Sequence, residues 1–73
     1  MKKDEEKAIV KKVCQRLHDE RLKQGLSQQR VSEMSGLSRT GVRHIESLET
    51  NPTLYSLLKL AKALNLKLIE IIE

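Results

Sequence analysis

Helix punctuation limits this chain more than any other feature. Gly25, Gly36, Asn51-Pro52 and Asn65 interrupt a sequence otherwise rich in helix-forming residues, and Ser27, Ser38 and Thr53 follow the first three breaks. Glycine and asparagine accept the left-handed backbone that ends a helix, and a residue before proline is pushed out of the helical region. Serine and threonine hydroxyls then satisfy free N–H groups at the start of the next helix. These breaks divide 73 residues into short helical pieces. Residues 1–7 are expected to be frayed. A first helix follows, with Ile9, Val13, Leu17 and Arg21 recurring at i+4, Val10 and Cys14 beside them, and Gly25 as its stop. Helices are expected over Gln28–Ser35 (Val31 and Met34 inward), Arg39–Ser47 (Val42 and Ile45 inward) and 54–64 (leucine recurring at 54, 57, 58 and 64, with Ala61 between them). In the tail, 66–73, Leu68, Ile71 and Ile72 fit a helical face, while its β-branched isoleucines also suit a strand. A short fifth helix is the expected form.

A chain of this length makes one domain, 1–73, and buries only ~60% of the surface exposed on unfolding. Cys14 is the only cysteine, so no internal disulfide compensates. Cys14, His18 and His44 are too few for a closed zinc site, so no metal and no cofactor is expected. Cys14 reads as a buried thiol and His18 as an exposed histidine. Asp4-Glu5-Glu6 and Asp19-Glu20 lie on mixed-charge helical stretches and read as solvated carboxylates, not an acid–base pair, so no catalytic residue is assigned and the chain is not expected to be an enzyme. No apolar run approaches ~18 residues, which argues against a membrane span and for a reduced, cytoplasmic protein. Tyr55 is the only aromatic residue. Readers of single strands and RNA need stacking platforms, and none can be built here. Leu66, Leu68, Ile69, Ile71 and Ile72 offer more apolar surface than one short tail can bury, which points to a homodimer interface.

The net charge of +4 is a weak hint of an acidic partner, because residues 28–50 carry three basic and three acidic groups. Distribution is more informative. On a wheel of about 100° per residue, Arg39, Thr40, Arg43, His44 and Ser47 share an arc of roughly 140°. Val42 and Ile45 lie opposite. The polar arc contains two arginines and no acid, whereas a solvated face ordinarily mixes signs. Two short helices joined through Gly36 have the lengths and turn of a helix-turn-helix, whose second helix can enter the DNA major groove. There arginine can bridge O6 and N7 of guanine, threonine can meet thymine's methyl group, and histidine can donate or accept. The start of the preceding helix, at Gln28, suits a phosphate oxygen.

RLHDERLKQGLSQQRVSEMSGLSRTGVRHIE, followed by NPTLYSLLKLAKALNL, resembles the lambda-repressor-like (Cro/cI, XRE) helix-turn-helix family. The likeness runs from Arg16 to Ile72 and rests on Gly25-Leu26-Ser27-Gln28, Ser35-Gly36-Leu37-Ser38, Ile45-Glu46 and Asn51-Pro52. It implies an all-α, compact bundle of about five helices that binds double-stranded operator DNA as a dimer. By position, Arg39, Thr40, Arg43 and His44 are expected to contact bases, and Gln28, Ser38 and Ser47 to contact phosphates. An Arg21–Glu46 ion pair is expected to join the first helix to the third. Three positions depart from the pattern. Leu48 stands where glycine is common, Ser32 replaces the usual alanine, and Gly41 lies inside the third helix, where its small size is expected to relieve packing between helices. The alternative function is an antitoxin that binds a toxin protein and its own promoter, with LKLIEII pairing as a strand.

Overall fold

A computed structural model of the protein describes residues 3–48 and 51–73. It forms α1 (Lys3–Lys23), α2 (Gln28–Ser35), α3 (Arg39–Ser47), α4 (Leu54–Ala63) and α5 (Leu68–Ile72), with no strand among the described residues. The fold is all-α. Residues 3–7, expected to be frayed, are drawn into α1, whose positive dipole end is favoured by acidic Asp4, Glu5 and Glu6 in its first turn. Residues 1 and 2 lie outside the described residues.

Each break works by local chemistry. After α1, Gly25 takes φ 70°, the Gly25 N–H donates to the Leu22 carbonyl, and the Leu26 N–H donates to the Arg21 carbonyl. This paired closure satisfies carbonyls that the helix end would leave bare. Asn65 repeats it after α4 with φ 61°, and the Leu66 N–H donates to the Ala61 carbonyl at 2.8 Å. Ser27, Ser38 and Thr53 each accept a backbone N–H at the start of α2, α3 and α4. The tail is helical from Leu68, and the Glu70 carboxylate accepts the Lys67 N–H at its start.

α1 packs against α3, α4 and α5, while α2 packs against α3 and α4. The shared core takes Val13, Cys14 and Leu17 from α1, Val31 from α2, and Val42 and Ile45 from α3. Leu57, Leu60, Ala61, Leu64 and Ile71 complete it. Ile9 and Met34, both expected inward, are each 42% exposed, at the edge of their stripes. Burial pushes the Cys14 thiol above its ordinary pKa, which suits an unreactive packing group. Among the described residues no cluster of ligating side chains is suited to a metal, and no helix is long and apolar enough to cross a membrane.

Two departures from the family pattern acquire roles. The Ser32 hydroxyl donates to the Leu37 carbonyl at 2.8 Å, and the Leu37 N–H donates to Ser35 Oγ at 3.2 Å. Together they close the turn between α2 and α3 around Gly36, whose φ is 78°. Leu48 ends α3 in left-handed backbone, φ 62° and ψ 26°. A leucine there carries roughly 1–2 kcal/mol of steric strain. Leu48→Gly is therefore expected to raise stability by about 0.5–1 kcal/mol, the remainder being offset by glycine's greater freedom when unfolded and the lost Leu48 side chain. Urea unfolding of both proteins measures it. Gly41 does not relieve a contact between helices, as its position on the wheel had suggested. A Cβ there would stand 3.1 Å from Ser38 Oγ, so it leaves room for the cap of its own helix.

Candidate nucleic-acid interface

Ser38 caps α3: its Oγ accepts the Gly41 N–H at 2.9 Å and sets the first turn of the helix. Val42 and Ile45 anchor one edge of the helix in the core. On the other side Arg39, Thr40, Arg43 and Ser47 are exposed, and His44 is half-buried. Neither Arg39 nor Arg43 forms an ion pair among the described residues. Their guanidinium forks are thus available to a planar pair of acceptors. Ser47 Oγ stands 3.4 Å from the His44 carbonyl within the same turn.

The angle of α3 is set by a buried polar cluster. Arg21 is 8% exposed and the Glu46 side chain 4%. Arg21 Nε donates to Glu46 Oε2 at 2.7 Å and Nη2 to Oε1 at 2.9 Å, a two-pronged pairing. The third prong, Nη1, donates to the Leu26 carbonyl at 2.8 Å, so the same side chain also fixes the approach to α2. Gln28 Nε2 donates to Glu46 Oε1 at 3.3 Å. The residue expected to hold a phosphate is therefore tied to the base of the recognition helix, and its second amide hydrogen and its oxygen are not used by that bond. Burial by itself pushes the Glu46 carboxyl up. Hydrogen bonds from Arg21, His18 and Gln28, with the Arg21 charge, outweigh burial and hold it below the ordinary carboxylate range.

His18 corrects a sequence expectation. It is not an exposed bystander: its side chain is 33% exposed and its Nδ1 lies 2.8 Å from Glu46 Oε1. With Glu46 ionised, Nδ1 is the donor. His18 precedes Arg21 by one turn of α1, which brings both side chains to Glu46 once α1 crosses α3. Cys14, considered with it as a metal pair, points into the core instead.

The tail residues separate into two groups. Leu68, Ile69 and Ile72 are exposed, with Ile69 at 56%, and Leu66 is half-buried. Ile71, expected at a dimer interface, is 1% exposed and belongs to the chain's own core. The reason is registry. On a helix of five residues only one position faces inward fully, and Ile71 occupies it.

A family model described as helix-turn-helix matches residues 17–71. The chain is similar to the HTH-type transcriptional regulator PuuR of Escherichia coli (strain K12) and of Shigella flexneri. In each case 42% of 55 residues are identical, covering 75% of this chain and 30% of the relative. It is also similar to control protein C.SmaI of Serratia marcescens, with 52% identity over 40 residues, 55% of this chain and 48% of that protein. The chain thus spans less than half the length of each of these relatives. No solved structure matches it at comparable significance. With a capped α2–α3 pair at the centre of the matched segment, this chain belongs to the XRE-type, lambda-repressor-like helix-turn-helix family of DNA-binding transcriptional regulators.

Proposed function

We propose that this protein regulates transcription by binding a pseudo-palindromic duplex operator as a homodimer, with α3 of each subunit in the major groove. One observation carries the reading: the exposed face of α3 presents Arg39, Thr40 and Arg43 with no acid among them, on a helix whose angle is held by the Arg21–Glu46 pair. Arg39, Thr40, Arg43 and His44 read base edges, while Gln28, Ser38 and Ser47 hold phosphates. Two copies of α3 related by a two-fold axis would enter successive grooves ~34 Å apart.

Exposed Leu68, Ile69 and Ile72, with half-buried Leu66 beside them, support α5 as the seam between subunits. Ile69→Ser combined with Ile72→Ser is expected to yield a monomer by sedimentation, with weaker binding to a two-half-site duplex. The fold of each subunit should survive, because neither side chain is in the core. In the antitoxin alternative LKLIEII pairs as an extended strand; residues 68–72 are helical, which does not support that mode of pairing.

Selection of bound duplexes from a random pool, repeated at two salt concentrations, tests the proposal. Enrichment of an inverted repeat whose affinity falls with salt supports it. No enrichment at low salt would overturn it.

A further inference from the structure

The first turns of α1 are outside the segment matched to the family and have no role in the reading of α3. Residues 3–16 extend α1 by about 20 Å at 1.5 Å per residue. Most of their side chains from Asp4 to Lys12 are exposed. Yet this extension is not detached from the interface. Lys7, Val10 and Lys11 line a cleft with Leu48 and Asn51, just past the end of the recognition helix. Val10 is packed against the core and holds α1 in place there.

Among the described residues, the charged side chains lining the cleft are both basic. At about 100° per residue, Lys7, Lys11 and His18 fall within roughly 40° of one another on α1. His18 meets Glu46, so this stripe follows the flank of α1 that faces α3. Neither Lys7 nor Lys11 forms an ion pair among the described residues, and both are exposed. Asp4 shares the stripe but stands nearly a turn beyond Lys7, farther from α3.

We propose that Lys7 and Lys11 form a second DNA contact, a seat for the phosphodiester backbone at the edge of the groove that α3 enters. The inference rests on the groove assignment above. The major groove is about 12 Å wide, close to the diameter of one helix with its side chains. A helix seated in it therefore brings the neighbouring flank to the phosphate wall. Lysine suits that task as a mobile point charge on a long stem, and it adds affinity without base preference. These lysines also lie near the negative end of the α3 dipole. If that were their whole role, removing them would alter stability and leave the salt dependence of DNA binding unchanged.

The test uses the full chain and a duplex recovered from the random pool. Lys7→Gln combined with Lys11→Gln should make the slope of log affinity against log salt shallower by about 1 per lysine removed. Preference among single-base variants of the duplex should stay as in the wild type, and the melting temperature should hold. Lys12→Gln, about 100° round the helix from Lys11, is the control and should change the slope much less. An unchanged slope in the double variant, or an equal effect of Lys12→Gln, would overturn the second contact while wild-type binding upheld the role of α3. A wild-type chain that binds no duplex would overturn both.

Discussion

Arg21→Ala is expected to remove about 3–5 kcal/mol of stability. A chain of 73 residues has only roughly 4–11 kcal/mol in total, so the loss removes a large share of its stability. The cause is the buried Glu46 carboxylate, which would keep the His18 and Gln28 bonds but lose both prongs of the guanidinium. The Leu26 carbonyl would lose its donor in the same step. Thermal unfolding should show a fall in Tm of about 12–40 °C. Replacing both partners together, Arg21→Met with Glu46→Leu, should cost less than Arg21→Ala, because no lone charge stays buried. Equal losses would mean that packing by the arginine stem, not charge, dominates.

The same pair gives the protein an acid limit. Because the folded-state pKa of Glu46 lies below its unfolded value, the pair's contribution is fully present above the ordinary carboxylate pKa of about 4.3. It is lost as pH falls from there through the lower folded value. Wild-type Tm should drop in that range, and Glu46→Gln, less stable at neutral pH, should drop less steeply.

The order and limits of the helices were legible because caps and stops act within a few residues. Ser27, Ser38 and Thr53 each accept the N–H expected of them, and Gly25, Gly36 and Asn65 hold the left-handed backbone that their residue types favour. Arg21 stood out because it continues an apolar stripe, and the family resemblance supplied Glu46 as its partner. Three features depended on tertiary geometry and were not legible. His18 joins Glu46 only once the crossing of α1 and α3 is known. Ser32 matters because a carbonyl five residues on turns back toward it. In the tail, four turns of periodicity would distinguish Ile71 from Ile69, and the helix has scarcely more than one.

Arg39→Ala carries the second large effect, on binding instead of folding. Arg39 is exposed and lies in the first turn of α3, the part of a recognition helix that meets base edges. Loss of a forked contact to guanine should cost about 1–3 kcal/mol, or roughly 5- to 150-fold in affinity. The fold should be unaffected, since the side chain has no ion-pair partner among the described residues. Gln28→Ala should weaken binding to all duplexes alike, because a phosphate has the same chemistry at every base pair.

The most direct measurement is affinity for the selected duplex and its single-base variants, compared between wild type, Arg39→Ala and Gln28→Ala. Placement of α3 in the major groove predicts that Arg39→Ala loses discrimination at one position of each half-site, while Gln28→Ala keeps the full pattern at lower affinity. Undiminished discrimination by Arg39→Ala at every position would contradict the role assigned to it in that groove.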